Sequence, residues 1–144
     1  MGTVIQGNAS EGAVLQGLTA AGISVLVPFG EGLPFDLACV VPDGRILRVQ
    51  VKTGRLRKGC VEFNASSTDH GRGQRHYRGR ADVIAVHVPA LARVFIVPVH
   101  ECPSSKGYLR VDATRNNQQR RVRLAERYAL EVWVDSLRSC TVAS

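Results

Sequence analysis

The segment that most constrains this chain is Pro42-Asp43-Gly44, set between two strand-like runs, Phe35 to Val41 and Arg45 to Lys52. Proline, aspartate and glycine in that order suit a three-residue hairpin loop: a type I turn closed by a glycine in the left-handed conformation of a bulge. A loop of this length sets Val41 opposite Arg45 and thereby every pair beyond it. Asp36 then lies opposite Gln50 and diagonal to Lys52, and all three point to one face. Phe35, Leu37, Cys39, Val41, Leu47, Val49 and Val51 point to the other, an apolar set that needs a helix or another strand over it. A two-residue Asp43-Gly44 loop would turn Asp36 to the wrong side, so the turn chemistry tests the arrangement.

Upstream, Val4, Ile5, Asn8, Glu11, Val14, Leu15 and Leu18 recur at helical spacing and Gly22 supplies a stop. They predict a helix over residues 3–20 that carries Glu11 on its apolar stripe. Ile23 to Val27 reads as a strand ended by Pro28. Downstream, Cys60 to Asn64, Asp82 to Val88 and Arg93 to Val99 read as short strands limited by Pro89 and Pro98. Residues 117–127 read as a helix with Val122, Leu124 and Ala125 inward, and Leu130 to Leu137 fits no single pattern. Helix, strands, helix over 144 residues, with no repeat or linker between them, predict one α/β or α+β domain.

Nineteen Lys and Arg against twelve Asp and Glu give a net charge of +7. Sixteen of those cations are arginine, the side chain suited to bidentate phosphate contacts, so a polyanionic partner is expected. No run approaches the roughly 20 apolar residues of a membrane span, and the N-terminus lacks the pattern of a secretory signal; a soluble, cytoplasmic protein is expected. Cys39, Cys60, Cys102 and Cys140 form no C-x-x-C pair, which argues against zinc ligation and a disulfide framework and for reduced, buried thiols. His100 and Cys102 alone do not make a metal site.

Glu11 on a helix, Pro34-Phe35-Asp36 opening one strand and Gln50-Val51-Lys52 closing the next resemble the PD-(D/E)XK nuclease superfamily, with Gln50 in place of the usual acid. The Q-x-K variant resembles the intron-encoded homing endonuclease branch, as do Pro28-Phe29-Gly30, Gln50-Val51-Lys52-Thr53-Gly54 and Tyr77-x-Gly79-x-x-Asp82. The resemblance runs from Glu11 to Pro98, with a fainter echo in Thr114-Arg115-Asn116-Asn117-Gln118. It implies a mixed central sheet flanked by helices and a site-specific endonuclease acting on duplex DNA, with Mg²⁺ as cofactor and Mn²⁺ able to substitute.

Phosphodiester cleavage needs the phosphate charge neutralised and a water made nucleophilic, tasks for a divalent ion on carboxylates. The resemblance assigns Asp36, Glu11, the Gln50 amide oxygen and the Val51 carbonyl to that ion, and Lys52 to the scissile phosphate and the attacking water. Arg55, Arg57, Lys58, Arg72, Arg75, Arg78 and Arg80 are expected on phosphates. Arg115, Arg120 and Arg121 are expected to contact DNA, with Asn116, Asn117 and Gln118 at base edges. The Gly-rich stretch around residues 70–80 reads as a loop ordered by DNA, its His70 and His76 read more simply as solvated side chains than as general bases. One small domain covers only part of a long target, so a homo-oligomer, dimer or tetramer, is implied, with no small-molecule substrate. A Holliday-junction or repair nuclease using the same residues, and an inactive DNA-binding module, remain the rival readings.

Overall fold

In the computed structural model of the chain, the residues described are 2–69, 73–112 and 123–142. Helix α1 spans Thr3–Ala20, and ten strands follow: β1 (Ser24–Leu26), β2 (Leu37–Val40), β3 (Ile46–Thr53), β4 (Arg55–Arg57), β5 (Cys60–Asn64), β6 (Ser66–Asp69), β7 (Gly73–His76), β8 (Val83–Val88), β9 (Arg93–Pro98) and β10 (Lys106–Arg110). Helix α2, Leu130–Val142, closes the chain's described part.

The helix forms over the range its periodicity predicts. Gly22, at φ +84, ends it, with its own N–H on Thr19 O and the Ile23 N–H on Leu18 O at 2.9 Å. The inward face is narrower than the apolar stripe: Ser10, Val14 and Leu18 are buried, whereas Val4, Ile5 and Leu15 are exposed. From Ser10 onward α1 lies across the sheet.

The hairpin between β2 and β3 has the expected loop. Val41 N–H donates to Arg45 O at 2.9 Å and Gly44 N–H to Val41 O at 2.8 Å, while Gly44 takes φ +92, as a type I turn with a bulge requires. The pairs Leu37 with Val49 and Val40 with Ile46 carry the predicted register.

Five strands form a mixed sheet in the order β1-β2-β3-β8-β9, in which only β3 and β8 run parallel. On one face α1 and α2 cover Leu37, Cys39, Val41, Val49, Val51, Ala85 and Ile96. On the other, Ile84, Val86, Val88, Phe95 and Val97 pack against Val61 and Phe63 of β5, Leu109 of β10, Tyr77 and Ala125. The three-stranded sheet β10-β5-β4 is the cover there. Each fully buried side chain of Phe95, Leu18 or Ile84 contributes about 1.5–3 kcal/mol of burial free energy.

Three expectations are corrected. Phe35 packs with the second cluster and not with Leu37, because the chain bends at Asp36 and the alternation stops there. The Gly-rich stretch is a hairpin in its described part, with Ser66 paired to His76 and Asp69 to Gly73. Of the helix expected over 117–127, residues 117–122 lie outside the described residues. The remainder is a 3-10 turn, Ala125–Tyr128, preceded by Leu124 bridged to Arg110.

Candidate active site

Asp36 stands at the bend where the chain enters β2. Its N–H donates to Val49 O at 3.0 Å, and its Oδ2 accepts the Val51 N–H at 2.9 Å. The carboxylate therefore sits at the edge of β3, beside the residue between Gln50 and Lys52.

Glu11 reaches the same place from α1. Glu11 and Asp36 line one open cavity of about 330 Å³, together with Val27, Pro28 and the loop through Phe35. Burial, then the Asp36 charge, then a hydrogen bond between the two carboxyl groups hold the Glu11 pKa above its ordinary value. Two carboxyl groups that face one another at the mouth of a cavity repel when both are ionised, and a cation between them would relieve that repulsion.

Gln50 and Lys52 lie on the same strand but do not line that cavity. Gln50 Nε2 points at Val51 O, at 3.5 Å, so the amide and the carbonyl assigned by resemblance to one ion are near neighbours. Lys52 Nζ donates to Ser66 O at 3.4 Å and lies 5.1 Å from the centre of the Tyr77 ring. Gly54, the end of the Q-x-K-T-G string, is a close approach: a Cβ there would fall 2.7 Å from Val86 Cγ1 and 2.8 Å from Val61 Cγ1.

Among the described residues no three His, Cys, Asp or Glu side chains gather as a metal cluster. The donors that the resemblance names, two carboxyl groups, one side-chain amide and one backbone carbonyl, are all hard oxygen donors. That set fits Mg²⁺ or Mn²⁺, which keep several waters, and does not suit zinc.

The cations fall into three groups. Arg55 and Arg57 are exposed on β4, and Lys58 (φ +50) begins the turn to β5. Arg78 is exposed and Arg80 half-buried, its guanidinium 5.9 Å from the Tyr77 ring centre. The backbone of Arg75 lies in β7. Arg72, His70, Arg115, Asn116, Asn117, Gln118, Arg120 and Arg121 lie outside the described residues.

His76 is not the solvated side chain expected of it but a partly buried, hydrogen-bonded one. Its Nδ1 accepts the Arg78 N–H at 3.0 Å, which leaves Nε2 to donate to Cys102 O at 3.1 Å. Cys39 and Cys102 are buried and unpaired, and burial pushes each thiol pKa up to about 11.

Arg48, which sequence reasoning did not single out, braces the strand that carries Gln50 and Lys52. Arg48 binds Asp82 through its backbone N–H at 2.7 Å and its guanidinium at 3.1 and 3.2 Å, and Gly79 O accepts from its Nη1 at 2.9 Å. The Tyr77-x-Gly79-x-x-Asp82 string thus fastens the entry to β8 onto β3. The Arg48 guanidinium also holds the Asp82 carboxyl below the usual carboxylate range.

A mixed sheet with a helix that carries Glu11 laid against it, and a Q-x-K strand at its centre, is a nuclease-type fold. A family model described as PD-(D/E)XK endonuclease matches residues 1–131, and the chain belongs to that family of DNA-cleaving enzymes. Among solved structures, the bacterial homing endonuclease I-Ssp6803I superposes with a TM-score of 0.75 at 24% identity, over 99% of this chain and 97% of that one. The Holliday junction resolvase Hjc of Archaeoglobus fulgidus matches with a TM-score of 0.44 at 21% identity, over 73% of this chain and 84% of its own. No curated protein matches the chain in sequence. No helix among the described residues is long and apolar enough to cross a membrane.

Proposed function

We propose that this chain is a site-specific, divalent-metal-dependent endonuclease of the homing type, hydrolysing phosphodiester bonds in duplex DNA as one nuclease domain. The observation that carries the reading is the Glu11–Asp36 pair at the edge of β3, with its raised Glu11 pKa, in a chain of the PD-(D/E)XK endonuclease family.

Glu11, Asp36, the Gln50 amide oxygen and the Val51 carbonyl would hold Mg²⁺, or Mn²⁺ in its place. Such an ion would supply neutralisation of the phosphate charge and activation of a water as nucleophile. Glu11 and Asp36 supply the negative charge that Gln50 lacks. Lys52 brings its ammonium to the scissile phosphate and stabilises the charge that builds there. Arg55, Arg57, Lys58, Arg78 and Arg80 contact flanking phosphates.

The protein works as a homo-oligomer, with one centre for each strand. Val4 and Ile5 on α1 and Phe29 of the following loop are exposed apolar side chains suited to meeting a second copy. Sedimentation of the purified protein as a monomer at micromolar concentration would remove this part of the reading.

The test is incubation of wild-type protein and Lys52→Ala with plasmid and genomic DNA, in Mg²⁺ and in EDTA. Discrete, metal-dependent fragments from wild type alone are expected. Cleavage confined to branched DNA would instead make the chain a junction nuclease, and salt-dependent binding without cleavage in any divalent ion would make it a binding module.

A further inference from the structure

We propose that Tyr77 is the positioning residue for Lys52: its ring face, with the Ser66 carbonyl, fixes where the ammonium of the Q-x-K strand lies. This rests on the nuclease reading above for its catalytic consequence, but the contact itself stands on geometry.

A lysine on a strand end is a point charge on four methylenes, and its freedom costs about 2 kcal/mol to remove. Here two fixed groups receive it. Lys52 Nζ is 5.1 Å from the Tyr77 ring centre, within the range at which a ring face attracts a cation. The same Nζ donates to Ser66 O at 3.4 Å.

Both groups are immobilised independently of the lysine. Tyr77 is 3% exposed and packs in the cluster with Val61, Phe63 and Val86. Its carbonyl accepts the Arg80 and Ala81 N–H groups at 2.8 and 3.0 Å, which closes the turn that follows. Arg48 ties that turn to β3 through Gly79 O and Asp82. The strand that carries Lys52 therefore also sets where the ring lies. Ser66 is buried, with its N–H and Oγ on Asn64 Oδ1 at 3.1 and 3.0 Å.

Arg80 lies 5.9 Å from the same ring. One aromatic side chain thus gathers two cations, Lys52 from the Q-x-K strand and Arg80 from the turn before β8, a pairing of positive charge suited to a phosphodiester backbone. The contact uses the ring face and not the hydroxyl, so phenylalanine should replace tyrosine and leucine should not.

The chain has three lysines, which makes ¹³C-lysine NMR a direct probe. In wild type and Tyr77→Phe, the Lys52 Hε resonances, assigned with Lys52→Arg, are expected upfield of those of Lys58 and Lys106 by the ring current. In Tyr77→Leu they should return to the free-lysine position while the core methyl spectrum stays native. With saturating DNA, Tyr77→Leu should lower the single-turnover cleavage rate about three- to tenfold, the size expected for one cation–π contact, and Tyr77→Phe should restore it.

An unshifted Lys52 in wild type, a shift that survives in Tyr77→Leu, or wild-type cleavage by a folded Tyr77→Leu would overturn the proposal. Absence of cleavage by wild type would overturn the nuclease reading and the catalytic consequence with it, while the NMR comparison still decides the contact.

Discussion

Asp36 Oδ2 accepts the Val51 N–H at 2.9 Å, so a side-chain carboxylate occupies a place in the β-ladder next to the Gln50-Val51-Lys52 strand end. The bond fixes the acid relative to β3 and leaves its charge facing Glu11, whose pKa rises in consequence of burial and of that charge. A raised carboxyl pKa contributes stability that is complete below the unfolded value, near 4.5, and is lost as pH rises through the native one. At neutral pH the metal-free site therefore works against folding.

Asp36→Asn separates these roles, since the asparagine Oδ1 can still accept the Val51 N–H but brings no charge. Metal-free Asp36→Asn is expected to melt at or above the wild-type temperature at pH 7. Mg²⁺ should raise the wild-type melting temperature, by about 1.4 kcal/mol of stability at ten times its dissociation constant, and leave the variant unmoved. Calorimetry with and without Mg²⁺ decides this; an equal Mg²⁺ response in both proteins would remove Asp36 from the metal site.

Gln50 Nε2 and Val51 O face each other at 3.5 Å, at the outer limit of a hydrogen bond and easily exchanged for a cation. Gln50→Glu should lower metal-free stability by adding a third carboxylate and reduce the Mg²⁺ concentration needed for cleavage. Gln50→Ala should raise that concentration about tenfold, the usual cost of one weakened metal ligand sphere. A metal titration of cleavage indistinguishable between Gln50→Ala and wild type would show that the amide is not a ligand.

Gly54 leaves β3 pressed between Val86 and Val61. Gly54→Ala is expected to cost about 1–3 kcal/mol through overpacking, read as a lowered urea midpoint at constant slope. Wild-type stability in Gly54→Ala would mean that the valines give way freely and that glycine has another purpose there.

How much of this was legible in the sequence differs between elements. The Pro42-Asp43-Gly44 turn carries its own geometry in its residue types, so the β2–β3 register, and with it the place of Asp36, followed from local chemistry. Helix α1 was equally legible in length, but not in exposure, because periodicity cannot say where a helix leaves its sheet. Strand β4 was not legible at all. It pairs with β5 through a two-residue turn at Lys58 (φ +50) and Gly59 (φ +74), and lysine in a left-handed position is not a turn signal. The β6–β7 hairpin was hidden by its glycines, and Arg48, Ser66 and Tyr77 gather at β3 only through contacts distant in sequence. Motif spacing marks residues that act; the ones that hold them in place need the fold.

His87 offers the last separation of structure from chemistry. On the helix-covered face, Ser10 Oγ lies 2.6 Å from Thr53 Oγ1 and 3.0 Å from His87 Nδ1, joining α1 to β3 and β8 next to Glu11 and Lys52 in sequence. Burial holds the His87 pKa below its ordinary value of 6.5, so the unfolded chain takes up a proton that the native one resists. Stability is then lost as pH falls from about 6.5 toward the depressed native pKa. The carboxyl groups held low by ion pairs, Asp82 among them, lose their contribution only at lower pH, near the ordinary carboxylate range and below. Glu11 acts in the opposite sense, since acid relieves its repulsion. Comparing wild type with His87→Gln, whose amide can keep the Ser10 bond, isolates the histidine: the melting temperature of wild type should fall more steeply between pH 7 and about 5.5, and parallel curves would show that His87 is no more reluctant to ionise in the native protein than in the unfolded chain.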